Sequence, residues 1–257
     1  MGQDTWDPKQ YERFRAERSQ PFYDLLSLLK PTVSPRVIDL GCGTGELTRL
    51  LHEQTQARET LGIDSSSAML AQAGEWVTET LSFQQGEIAT FDEAGWDIVF
   101  SNAALQWTPD HPALFTRLSK LVAPDGQLAV QMPANDDHAS HRIANAVAAQ
   151  EPFRSALAGY QRPRSVLSPE AYAEMLNELG FVEQHVRLQV YGHLLEASAA
   201  VVEWVKGTLL TDFKRRMSAE LYERFLATYR VRLLAVLPDA RPYFYAFKRM
   251  LLWGRRG

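Results

Sequence analysis

The sequence predicts an α/β fold, a mostly parallel sheet flanked by helices, and three observations carry that expectation. Short apolar runs of strand length alternate with amphipathic helical stretches from Arg36 to Pro133. The run "RVIDL" leads into "GCGTG", a strand-to-helix turn with glycine at 41, 43 and 45. The 257-residue chain is 46% hydrophobic and 23% charged, enough apolar material to build one α/β core with an added cap.

In order, two helical patterns come first, Pro8 to Arg18 and Pro21 to Leu29, stopped by "KPTVSP". "RVIDL" then reads as a buried strand, "ELTRLLHEQ" as a helix, "ETLGID" as a strand and "SSAMLAQAGEWV" as a helix. "LSFQQGE" is a third strand, "DIVFSNA" a fourth, "PALFTRLSKLV" a helix, "APDG" a turn and "QLAVQM" a fifth strand. Past Pro133 the rhythm changes: a polar helix near His138 to Gln150, an irregular "AGYQRPRSVL", then "SPEAYAEMLNELGF". In that last piece Ser168 is the N-cap, Pro169 the first helical residue and Gly180 the stop, with Ala171 where a capping-box acid would stand. "VEQHVRLQVYGHLL" reads as a long strand, residues 198–235 as helical, and "YFYAFKRMLLW" as the closing strand. The helical insertion between the last two strands is expected to cap the C-terminal edge of the sheet.

Net charge is −4 and the pI about 5.9, so no global positive field favours nucleic acid or anionic lipid. The N-terminus reads as neither a leader nor an anchor, and no stretch has membrane-spanning length. Cys42 is the sole cysteine, which excludes an intramolecular disulfide and suits a reducing cytoplasm.

The glycine turn exposes amides at a helix start and admits a ligand against bare backbone. Dinucleotides and S-adenosylmethionine both use such turns. Asp64, closing the second strand, is placed to accept both hydroxyls of an adenosine ribose. Asp39, just before the glycines, can serve the amino group of a methionine tail, which a dinucleotide lacks. Gly41, Cys42, Gly43 and Ser65 complete the loop side; Glu87 and Ile88, after the third strand, are placed for the adenine. Asn102 and Ala103, ending the fourth strand, would line the reacting end.

With these residues in view, the chain resembles the class I S-adenosylmethionine-dependent methyltransferases over roughly residues 33–133. Over nearly its whole length it is also similar to the trans-aconitate methyltransferase family, through "WDPKQYERFRAERSQPFYDLL", "NAALQWTPDH", "QMPANDDHASHR", "VEWVKGT" and "YFYAFKRMLLW". The resemblance implies a Rossmann-like sheet whose last strand is antiparallel. It implies one methyltransferase domain, 1–257, with lid helices at 1–32, a cofactor-binding core at 33–133, and substrate-side helices, last strands and cap at 134–257. It further implies a monomethyl ester formed on a small tricarboxylic acid, with S-adenosylhomocysteine as by-product. Glu87 departs from the class, which more often has aspartate there.

A carboxylic acid is already ionised at neutral pH, so this chemistry needs no general base and no catalytic residue is expected. Positioning is the task, and cations should hold the carboxylates that do not react. The candidates are Arg18, His141, Arg142, Lys206, Lys248 and Arg249, each with solvation or ion pairing as its ordinary alternative. Trp107 and His111 are placed to wall the substrate, Tyr11 and Phe14 to close as a lid, and core packing is the ordinary reading of all four. "DDHASH" pairs His138 and His141 on one helical face without further ligands, so no metal is expected. Rival readings are a malonyl-thioester carboxyl methyltransferase and a non-catalytic S-adenosylmethionine-binding protein; oligomeric state is open.

Overall fold

The computed structural model describes residues 15–257, with side chains from residue 20. Tyr11 and Phe14 lie outside the described residues, as does the side chain of Arg18. By packing, the chain divides into two compact units. One, the sheet unit, takes in Arg18–Ala134, Ser165–Gln189 and Lys248–Gly257; the other, the helical unit, includes Asn135–Arg164 and Val190–Phe247.

Among the described residues seven strands form one sheet: β1 (Arg36–Leu40), β2 (Glu59–Asp64), β3 (Leu81–Gln85), β4 (Trp96–Asn102), β5 (Val122–Pro133), β6 (Phe181–Leu195) and β7 (Tyr243–Arg256). Their order is β3-β2-β1-β4-β5-β7-β6. β1 to β5 pair in parallel and β7 runs antiparallel to β5, Leu128 facing Gly254, as the resemblance implies. Val37, Ile38 and Leu40 are fully buried because β1 lies between β2 and β4 and is covered on both faces.

The connecting helices of the sheet unit are α1 (Arg15–Leu26), α2 (Glu46–Thr55), α3 (Ser67–Ala73) and α4 (His111–Leu121). α3 is capped by Ser66 and α4 by Asp110. Two expectations need correction. The predicted break at Pro21 is absent, since α1 runs through it; buried Phe22 and Leu25 hold the helix past one missing N–H. "APDG" is a turn in its backbone, with Asp125 at φ 59°, but it forms an excursion inside β5 that shifts the register between Trp96 and Ile98.

Further on come α5 (Ala139–Ala148), α6 (Phe153–Ala156), α7 (Pro169–Glu178), α8 (Ala200–Lys206), α9 (Thr211–Lys214) and α10 (Ala219–Val236). The Ser168 cap accepts from Ala171 N, and Gly180, at φ +85°, follows the helix end as expected. α8 to α10 occupy the predicted helical insertion. In the helical unit, Tyr222, Phe225, Tyr229 and Leu233 line the buried stripe of α10, their three- and four-residue spacing turning one face inward. They join Trp204, Phe213, Tyr245 and Phe247 in one aromatic cluster.

Candidate functional site

The C-terminal ends of β1, β2 and β4 converge on the glycine turn. There the chain leaves β1 for α2, while β2 and β4 flank β1 on either side, the point where open parallel sheets part their connections. Gly41 N and Cys42 N both donate to Ile63 O, tying the turn to the end of β2.

The three glycines serve different ends. A side chain on Gly41 would meet Ala104 Cβ at 2.3 Å, and one on Gly45 would meet Phe83 at 2.7 Å. Both also adopt positive φ, so protein packing alone demands glycine there. Gly43 adopts positive φ as well, at 56°, but among the described residues a side chain there would find nothing within 4 Å, so of the three this one leaves bare backbone open to a ligand.

Two aspartates bracket the turn. Asp64 accepts from Gly43 N and Ser66 N, each at 2.9 Å, which fixes its carboxylate at the end of β2. Asp39, 4% exposed, accepts from Thr48 Oγ1 at 2.6 Å through Oδ2, while its buried Oδ1 has no partner among the described residues. Burial foremost pushes its pKa up to about 7; the Thr48 bond opposes the rise and the Asp64 charge adds to it. A buried acid with one unsatisfied oxygen beside an open backbone is suited to an incoming cation. These features fit S-adenosylmethionine, a cationic donor.

The other predicted cofactor residues surround this turn. Cys42 is buried, and burial raises its thiol pKa. Ser65 is exposed and its carbonyl accepts from Gln85 Nε2. Glu87 is exposed just past β3, and half-buried Ile88 lies under Gly41, 3.6 Å from where a Cβ would stand. Ala103, at φ 58°, ends β4 with its N–H on Gln131 O. Asn102 accepts from Gln131 Nε2 at 3.3 Å, and Gln131 Oε1 accepts from Arg249 Nη1 at 2.9 Å. Buried Arg249 thus also helps to align this strand end.

Trp107 is half-buried in the short helix after β4. His111 is 1% exposed, its Nδ1 meets Tyr172 Oη and its Nε2 meets Leu105 O, so the ring braces the loop after β4 and has no nitrogen left for a substrate.

Of the remaining candidates, half-buried Lys248 lies on β7 in the sheet unit, and His141, Arg142 and Lys206 lie in the helical unit. His138 caps α5, and His141 and Asn145 follow at seven-residue total spacing along one helical face. Burial, with Arg162 and His138 adding to it, pushes the His141 pKa down to about 3, so its ring is neutral. Asn145 and Arg162 clasp each other reciprocally: Arg162 N donates to Asn145 Oδ1 at 3.0 Å and Asn145 Nδ2 to Arg162 O at 3.1 Å. Two residues earlier, Tyr160 Oη donates to Asp212 and the Arg216 guanidinium lies 3.8 Å over its ring. Arg142 is exposed on α5, and Lys206 pairs with Glu203 at 3.3 Å.

Sequence reasoning passed over Thr48, Gln131 and Arg162. Thr48, two residues into α2, had a readable signal, a hydroxyl at the start of the helix facing an acid at the end of the preceding strand. Arg162 had none, since its irregular segment gains its place only through Asn145. Among the described residues no cluster of three or more His, Cys, Asp or Glu could hold a metal ion, and no helix is long and apolar enough to cross a membrane. A groove of about 460 Å³ lined by Lys30, Glu183, His185 and Trp253 involves none of the glycine-turn residues.

Comparison with known proteins adds to this geometry. A family model described as a methyltransferase domain matches residues 11–186. A trans-aconitate 2-methyltransferase of Deinococcus radiodurans is 43% identical, with 98% of each chain covered. One of Variovorax paradoxus is 38% identical over 97% of this chain and 95% of its own. In fold, the chain is similar to the YcgJ protein of Bacillus subtilis, with a TM-score of 0.61 at 15% identity, covering 93% of this chain and 98% of that one. It is also similar to a phosphoethanolamine N-methyltransferase of Haemonchus contortus in complex with S-adenosyl-L-methionine, with a TM-score of 0.55 at 18% identity, covering 93% of this chain and 52% of that one.

Proposed function

This chain belongs to the methyltransferase family, and we propose that it transfers the methyl group of S-adenosylmethionine to a carboxylate of trans-aconitate, giving a monomethyl ester and S-adenosylhomocysteine. The observation that carries the donor is the open backbone at Gly43 between the acids of β1 and β2. The acceptor is supported by trans-aconitate methyltransferases that share 43% and 38% of their residues with this chain along almost its full length.

When bound, S-adenosylmethionine supplies a methyl group on a cationic sulfur. The protein's own residues have the tasks of binding, orientation and exclusion of water. The carboxylate nucleophile is ionised at neutral pH, so no side chain has to remove a proton from it. In this reading Asp64 accepts the ribose hydroxyls, Asp39 receives the ammonium, and Glu87 and Ile88 flank the adenine. A guanidinium fork on the reacting carboxylate would draw off its electron density. Cations are therefore assigned to the carboxylates that stay free, with exposed Arg142 the first candidate. A cytoplasmic location goes with this reading.

The test is methyl transfer from labelled S-adenosylmethionine to trans-aconitate, with cis-aconitate, citrate, a malonyl thioester and RNA in parallel. Preferential labelling of trans-aconitate is the expected result. Labelling of the malonyl thioester instead would move the chain to the rival carboxyl methyltransferases. Cofactor binding without any labelled acid would leave a binding protein.

A further inference from the structure

A threonine inside a helix can turn its hydroxyl back on its own chain, as Thr55 of α2 does when it donates to Leu51 O at 2.7 Å. Thr48, on the same helix, departs from that habit. With 0% exposure, it sends its proton across to β1, where Asp39 Oδ2 accepts it at 2.6 Å. A hydroxyl shut away from water needs an acceptor, and a carboxylate makes the strongest such bond.

The bond commits one oxygen of Asp39 and leaves the other. Oδ1 is buried and has no partner among the described residues. With the Thr48 proton on Oδ2, a proton taken up by the carboxyl goes to Oδ1, the atom that an ammonium would need. Holding the carboxyl ionised therefore keeps Oδ1 open. Burial works against this and Asp64, at the end of β2, adds to it, while the Thr48 bond opposes both. Cys42, in the turn after β1, is kept a neutral thiol, foremost by its burial. Ser101 of β4 is turned to Leu40 O.

We propose that Thr48 is a positioning residue for the methyl donor, its hydroxyl fixing Oδ2 of Asp39 so that Oδ1 is held for the ammonium of the methionine tail. The inference rests on the proposed function, which gives Asp39 that ammonium, and it lies wholly within the sheet unit. The effect of Thr48 passes through Asp39, so it follows the ammonium and not the nucleoside.

The experiment measures two affinities by calorimetry on the full-length wild type, Thr48→Val and Thr48→Ser. One ligand is S-adenosylhomocysteine; the other is methylthioadenosine, which keeps the nucleoside and lacks the amino-acid tail. Valine matches the shape of threonine and lacks the hydroxyl. The expected result for Thr48→Val at pH 7 is a loss of about tenfold for S-adenosylhomocysteine, as a hydrogen bond to a charged group implies. Methylthioadenosine affinity stays unchanged, and the serine variant stays close to wild type. Losing a bond to the ionised form raises the Asp39 pKa further, so the deficit is larger at pH 6 than at pH 8. Equal losses for both ligands, or a deficit that does not vary with pH, overturn the inference and leave Thr48 a packing residue. Unchanged affinity for S-adenosylhomocysteine in the valine variant overturns it as well. Where the valine variant does not fold, Thr48→Ala takes its place under the same outcomes. A wild type that binds both ligands equally removes the ammonium role of Asp39, and one that binds neither removes the proposed donor; each takes this inference with it.

Discussion

Each unit holds an ionisable group far from its ordinary pKa. In the sheet unit, burial and the neighbouring Asp64 raise the Asp39 pKa to about 7; in the helical unit, burial and the neighbouring Arg162 lower the His141 pKa to about 3. Acids gather at the glycine turn and bases gather along α5. The acids at the glycine turn suit an incoming cation, whereas His141 on α5 is kept neutral.

The largest effect expected from this contrast lies at Asp64. Asp64→Ala removes an acceptor for two ribose hydroxyls, each charge-assisted bond being worth about 1.5–3 kcal/mol. Affinity for S-adenosylhomocysteine by calorimetry should fall about a hundredfold or more. A change of only about twofold would remove the sheet side of the comparison.

Asp39→Asn comes next and acts in two directions. The folded pKa of about 7 stands above the 3.8 of an ordinary aspartate, so the stability this group lends is whole below pH 3.8 and lost as pH rises through 7. At pH 8 the variant should therefore unfold at higher urea than wild type, while cofactor affinity drops about tenfold or more through loss of the ammonium partner. Equal urea midpoints at pH 8 would mean that Asp39 is not a strained acid.

His141 supplies the opposite sign. Its folded pKa of about 3 lies below the ordinary 6.5, so its stability is whole above pH 6.5 and lost as pH falls toward 3. His141→Gln should shrink the loss of stability between pH 7 and pH 4 by ~1–2 kcal/mol, about one pKa unit of linkage. Chemical denaturation at the two pH values measures this, and parallel curves for the two proteins would count against it.

The smallest effect concerns Lys206, whose partner Glu203 lies one turn away on the same half-buried helix face. Lys206→Ala should cost at most ~0.5 kcal/mol in stability. A large rise in KM for the acid would promote Lys206 from pairing with Glu203 to holding the substrate.

What the sequence discloses differs between the units for a physical reason. β1 and β2 are legible to the residue because a buried parallel strand is a continuous apolar run ending at its turn, and Asp39, Gly43 and Asp64 fall at those ends. The local signals at Ser168, Pro169 and Gly180 likewise act within a few residues and were readable. Pro21 misled because the burial of Phe22 and Leu25 outweighs a local penalty. Arg162 escaped because its place depends on Asn145, seventeen residues earlier. The surroundings of His111 were hidden because its Nδ1 meets Tyr172, sixty-one residues away. Tyr229 was legible only as part of a helical stretch, and packing reveals that among the described residues its hydroxyl has no acceptor.

The chain leaves β5 at Ala134 and returns to β7 at Lys248, and Ala134 N donates to Lys248 O at 2.9 Å, beside the pairing of Pro133 with Arg249. Departure and return are thus stitched together at the neck. Residues added or removed at the tips of surface loops between those points need not disturb the β5–β7 register, and lengthening such a loop costs only a slowly growing closure entropy.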